Sequence, residues 1–185
     1  LVQCLLEAGK PDEARTNVFA AAGIKPFDAV IQNTMGIVQA ATGQNDAAIK
    51  SFRKALQLDS GLLEARFNLG LGLYRIGEWE DSQRQLRLFK DKSAGRAEGD
   101  ILLAACLIKL DKSADALPLL EGARRKLGEK FSAGAWKLLG IAYGHNGQGS
   151  MALAALGKTA ELDPSRAWTW VLIGVEHGIA GQPSQ

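Results

Sequence analysis

Small residues return on a fixed beat along this chain. Gly36, Gly70, Ala104, Gly140 and Gly174 are separated by 34, 34, 36 and 34 residues. A period of that length, with apolar residues at helical spacing around each small residue, restricts the chain to a linear stack of helical hairpins. Each unit is too short to bury its own apolar face and must bury it on its neighbours. Such a stack offers extended surface rather than one enclosed cavity. The beat therefore predicts a binding protein, and it is silent on what is bound.

The bulk properties agree and exclude several other classes. At 185 residues the chain suits one domain, and a repeat array needs no second core. No apolar run approaches the roughly 18 residues of a membrane span, so no membrane insertion is expected. The opening residues lack the basic start and cleavage site of a signal peptide, although the chain begins with Leu1 rather than Met. Net charge is +2, from 22 basic and 20 acidic residues, which gives no whole-molecule field to gather nucleic acid. Two cysteines, Cys4 and Cys106, are too few for a disulfide framework and have no metal-ligand spacing.

The clearest unit is Ala133 to Arg166. Trp136, Leu139, Gly140 and Tyr143 form one apolar face of a first helix. Gly147 permits the left-handed turn that ends it, and Ala152, Leu153 and Leu156 form the packing face of a second helix. Small residues at Gly140 and Ala152 let the two backbones approach. Leu162-Asp163-Pro164 closes the unit. This pattern resembles the tetratricopeptide repeat. The resemblance implies an all-α, right-handed superhelical solenoid of antiparallel helix pairs.

Earlier copies match in register: 29–62 (Gly36, Gly43, Ala48, Phe52), 63–96 (Gly70, Gly77, Ser82, Leu86) and 97–130 (Ala104, Ala116, Leu120). Asp111 stands where a turn glycine is usual, and two extra residues near Glu129–Ser132 precede 133–166, which predicts a slight bend there. Turns are expected at Gly9, Gly43, Gly77, Asp111 and Gly147. The ends read as partial repeats, 1–28 and 167–185, the latter holding one first helix, Trp168 to Ala180. On this reading the chain is a piece of a longer array with four complete repeats, and its truncated ends offer a route to self-association.

Motifs with apparent chemistry reduce to packing. Gly70-Leu71-Gly72 lies inside a helix and Gly144–Ser150 spans a helix turn, so neither has the strand-then-helix context of a phosphate loop. His177 takes the slot of Tyr143 one repeat on and reads as core. Cys4 and Cys106 share the slot of Val38, Gly72 and Ala142, and read as small buried hydrophobes. Arg84, Arg87, Lys90 and Lys92, then Arg124, Arg125, Lys126 and Lys130, favour helix C-termini, where they offset the macrodipole. No catalytic, cofactor or metal site is predicted.

The resemblance places partner contacts on first-helix positions that line the concave groove. In register these are Asn33, Ile37, Phe67, Leu71, Tyr74, Arg75, Glu98, Ile101, Ile108, Lys109, Lys137, Ile141 and His145. An apolar strip with scattered cations suits a peptide or partner helix carrying some acidic residues. Chaperone tails are not expected to bind, because Asn33 and Ile37 stand where such binders carry lysine and asparagine, and Glu98 and Leu102 where they carry lysine and arginine. The expected function is a non-catalytic protein–protein interaction scaffold. The alternatives are a regulatory or substrate-docking module of an enzyme such as a glycosyltransferase, and a periplasmic scaffold of a bacterial polysaccharide-export system. Cytoplasm is slightly favoured over periplasm.

Overall fold

The computed structural model describes residues 1–93 and 96–164, and every regular element within them is helical. The helices are α1 (Val2–Glu7), α2 (Pro11–Ile24), α3 (Ala29–Ala41), α4 (Asn45–Leu58), α5 (Leu63–Arg75), α6 (Trp79–Lys92), α7 (Ala97–Lys109), α8 (Ser113–Leu127), α9 (Ala133–His145) and α10 (Gly149–Leu162). A short 3-10 turn, Gly128–Lys130, follows α8. The chain divides into two compact units, Leu1–Ala94 and Gly95–Gln185. The expected helix Trp168 to Ala180 and His177 lie outside the described residues.

Consecutive helices pack as pairs, α1 with α2 through α9 with α10. The five turn residues named from the sequence all have positive φ: 70° at Gly9, 79° at Gly43, 87° at Gly77, 57° at Asp111 and 72° at Gly147. One hydrogen-bond pattern recurs at each. At Gly43 the amide donates to the Ala40 carbonyl (3.2 Å) and the next amide, Gln44, donates to the Gln39 carbonyl (2.8 Å). At Asp111 the same two bonds run to Ile108 (3.1 Å) and, from Lys112, to Leu107 (2.8 Å). These bonds satisfy carbonyls that would otherwise be orphaned at the helix end, and they need a left-handed residue. Glycine takes that conformation freely; Asp111 takes it at some cost.

The small residues set how closely each pair approaches. A Cβ added to Gly140 would sit 2.8 Å from Leu156 Cγ, and one added to Gly70 would sit 2.8 Å from Leu86 Cγ. Beside Gly70, the buried Ser82 hydroxyl donates to the Gly70 carbonyl at 2.7 Å and ties α6 to α5. In the first unit the core is Ala48, Ile49 and Phe52 of α4 against Leu69 and Leu73 of α5. A satellite cluster joins Ala14 and Val18 of α2 to Val38 of α3. Burying a side chain such as Phe52, 2% exposed, stabilises the unit by roughly 2–3 kcal/mol.

In the second unit the two extra residues appear as the 3-10 turn after Gly128. That turn delivers Phe131, 1% exposed, edge-on to Trp136 at 5.2 Å. Arg124 lies over the same Trp136 ring at 5.7 Å, a cation–π contact. Pro118 stands inside α8 on its exposed side, with Ala114, whose carbonyl loses its amide partner there, also exposed.

One expectation is corrected. Cys106 is fully buried, but Cys4 is exposed, and both thiols are free. The shared slot is covered by the preceding second helix: Val38 packs on Ala14 and Val18 of α2, and Gly72 lies against Ile49 of α4. No described helix precedes α1, so Cys4 has no such cover.

Candidate partner-binding surface

In the first unit, α3 and α5 are successive first helices in direct contact. They are pinned by a polar pair: Asn68 Nδ2 donates to Asn33 Oδ1 at 3.0 Å, with Asn33 only 7% exposed. Asn33, expected to reach a partner, is thus a packing residue that orients Asn68. Ile37 and Leu71 are half-buried, and Arg75 is exposed. Tyr74 is half-buried on the same helix. Phe67 leans its ring on Phe89 of α6, 5.3 Å between centroids, so part of its surface is committed to the helix pair.

A cavity of about 260 Å³ opens among these helices. Ile37, Ala40 and Ala41 of α3 form one wall, and Asn68, Leu71, Gly72 and Arg75 of α5 form the other. Asn45, Ala48 and Phe52 come from α4, the last two fully buried. Its origin is visible in the repeat. The two slots at the end of each first helix hold Tyr74 and Arg75 on α5, and Ile108 and Lys109 on α7. On α3 they hold Ala40 and Ala41, and on α9 Gly144 and His145; the small side chains of Ala40 and Ala41 leave room in the cavity wall. Ile37, Leu71 and Arg75, groove positions by register, line this cavity, together with the alanines, Asn45 and Gly72, which the register does not single out. Their signal was small residues where neighbouring repeats carry large ones. A wider, more open hollow of about 420 Å³ lies beside Arg15, Thr16, Phe19 and Gln44, with one apolar side chain in its wall.

In the second unit, α7 and α9 are likewise adjacent. Ile101 and Ile108 on α7, and Lys137 and Ile141 on α9, are half-buried, while Lys109, Glu98 and His145 are exposed. His145 does not stand alone: its Nδ1 lies 2.8 Å from the buried Ser113 hydroxyl at the start of α8. That bond ties the last residue of α9 to α8.

Several other polar groups are engaged in structure. Tyr143 donates to Glu121 Oε1 at 2.9 Å. Burial first, then that hydrogen bond and the Glu121 charge, push its phenol above the ordinary value, and Arg124 opposes them. Among the cations, Arg84 pairs with Asp81, and Lys126 meets the buried Asp100 at 3.2 Å. The two basic clusters lie on different compact units. Among the described residues no three His, Cys, Asp or Glu side chains converge as metal ligands, and no helix is long and apolar enough to cross a membrane.

No family model matches the chain. A peroxisomal targeting signal receptor of Candida albicans is 34% identical over 67 residues, 36% of this chain and 11% of the receptor's length. Among solved structures, YrrB, a TPR protein with an unusual peptide-binding site, superposes with a TM-score of 0.75 at 21% identity, covering 88% of this chain and 83% of that one. PilF of Pseudomonas aeruginosa superposes with a TM-score of 0.83 at 18% identity, covering 97% of this chain and 81% of that one. At these identities the likeness is one of fold.

Proposed function

Because this chain has the tetratricopeptide-repeat fold, we propose that it is a non-catalytic scaffold whose first-helix faces hold a peptide or a partner helix. The observation that carries the reading is the indented apolar face of α3 and α5. There Ile37, Leu71 and Tyr74 remain partly open beside a cavity, while the neighbouring Asn68 and Asn33 are bonded to each other. Accessible apolar surface around a concavity is what a peptide side chain needs. The peptide-binding site of YrrB, on the same fold, lends support. In the second unit, Ile101, Ile108 and Ile141 offer a comparable strip, with Lys109, Lys137 and His145 as its polar margin. The groups with chemical potential hold structure instead: His145 is joined to Ser113, and Tyr143 to Glu121.

Selection of a random peptide library on the purified chain tests this. Peptides recovered should lose about 30-fold in affinity on Tyr74→Ala, the size of a typical aromatic anchor. They should change only a few-fold on double charge reversal at Arg124 and Arg125, whose exposed charges are solvent-screened. The opposite ranking would refute the assignment to first-helix faces.

A further inference from the structure

The cavity in the first unit is more selective than a general groove, and its chemistry restricts its occupant. Three properties matter. Its volume, about 260 Å³, lies below the roughly 300–1,000 Å³ typical of small-molecule and cofactor sites. Its inner end is closed by the buried, apolar Ala48 and Phe52, which hold no charge. Arg75, exposed at the end of α5, is the one charged residue in its lining.

We infer that this cavity is a specificity pocket for one apolar side chain of a partner peptide, with Arg75 pairing to an aspartate or glutamate beside it. The inference rests on the first-helix reading proposed above and adds the class of peptide. An apolar floor disfavours a charged or strongly polar insert, because an unpaired polar group there loses its water without compensation. An aliphatic side chain loses nothing and gains contact with Ile37, Leu71 and Phe52. Asn68 contributes direction. Its Nδ2 donates to Asn33, which restrains the amide plane of a residue that lines the cavity, and its Oδ1 is the acceptor that amide has to offer there. A backbone N–H of an extended peptide is the natural donor to such an acceptor. The guanidinium then favours a carboxylate, and bidentate pairing fixes its place. Arg75 itself lines the cavity, so the carboxylate belongs within about two or three residues of the apolar anchor, roughly 7–10 Å of extended chain.

Two substitutions test the pocket. Ala40→Tyr installs the residue that the next repeat carries in the same slot, and fills the cavity from its wall. Arg75→Glu reverses the charge at an exposed position, at a modest folding cost from placing an anion in the last turn of α5. Both variants are checked for native helicity and melting, and the random-library selection is run on wild type and on Arg75→Glu. Wild type should enrich one fixed aliphatic residue with Asp or Glu within about three positions, and Arg75→Glu should replace that acid by Lys or Arg. Synthetic, fluorescein-labelled versions of the wild-type peptides should weaken at least tenfold on Ala40→Tyr. On Arg75→Glu they should weaken roughly five- to tenfold, as befits a partly exposed pair. If Ala40→Tyr does not fold, the charge-swap selection alone decides. Peptides that lose binding on Tyr74→Ala but ignore Ala40→Tyr and Arg75→Glu would uphold the first-helix reading and overturn the pocket. Peptides indifferent to all three, or no enrichment at all, would overturn both.

Discussion

Gly140→Ala sets two well-measured effects against each other. In an open helix, replacing glycine by alanine stabilises by about 1 kcal/mol, because glycine loses more backbone freedom on folding. Gly140 is not open. Its added Cβ would meet Leu156 Cγ at 2.8 Å, Leu156 Cδ2 at 2.9 Å and the Ala152 carbonyl oxygen at 3.3 Å. Leu156 is 1% exposed and its branch point is the obstructing atom, so it cannot swing aside as a chain end would. Overpacking of this kind costs about 1–3 kcal/mol, and the backbone oxygen behind the leucine puts Gly140 toward the upper end. The expected net result is a loss of about 1–2 kcal/mol, some 2–8 °C in melting temperature for a chain of this size. Gly157→Ala on α10 is the matched control: nothing lies within 4 Å of its added Cβ, so it should stabilise by roughly 0.5–1 kcal/mol. Urea unfolding at constant m-value measures both. Ala104, fully buried against its own second helix, shows that a pair of this type can be built around a Cβ. A Gly140→Ala variant as stable as Gly157→Ala would mean that α9 and α10 separate at no cost, and the close-approach argument would be wrong.

Asp111→Gly should stabilise by about 1 kcal/mol by relieving a left-handed non-glycine residue; a destabilised variant in thermal melts would show that the Asp111 side chain makes a compensating contact. Pro118→Ala should raise stability by about 1–3 kcal/mol, since it restores an amide inside α8 at an exposed position; unchanged urea midpoints would mean the helix is already fully adapted. Tyr143, held above its ordinary 10.0, keeps its proton in the folded state to higher pH than in the unfolded chain. Its contribution is therefore full below about pH 10 and is lost as pH rises through the folded value. Tyr143→Phe should be less stable by about 1 kcal/mol near neutrality, yet show a flatter decline in alkaline melts; parallel alkaline profiles would discount the Glu121 bond.

The features that were legible in the sequence are those fixed by local backbone geometry. A helix end needs a left-handed residue, so all five turns could be placed, including Asp111, where no glycine marks the site. The small slots at Gly70 and Gly140 were equally visible, because close approach of two helices favours a residue with little or no side chain, glycine here and alanine at Ala104. What escaped depended on which partner a slot meets. Cys4 shares its slot with Val38, but among the described helices α2 covers Val38 and none covers Cys4. Asn33 fits a groove position by register, yet Asn68 on the next first helix turns it into a packing residue. His145 is exposed at the edge of its strip as register suggests, but register does not show that Ser113 at the start of α8 is bonded to its ring. The cavity was hidden because small side chains at Ala40 and Ala41 leave room in its wall, and motif reading attends to the residues that are present.

The Asn33–Asn68 bond bears on how a chain of near-identical hairpins avoids pairing its helices one repeat out of step. Repetition makes such slips cheap, since each apolar face fits many others, and misassembly is a characteristic failure of repeat proteins. The two asparagines are not repeated. The slot of Asn33 holds Phe67 and Ile101 in later copies, and that of Asn68 holds Thr34 and Leu102. A stack displaced by one repeat would set Asn33 against the Leu102 slot and leave its buried amide without a partner, at about 1–3 kcal/mol. A lone buried asparagine fixes register in coiled coils by the same logic. Here one polar bond distinguishes the correct neighbour from its copies.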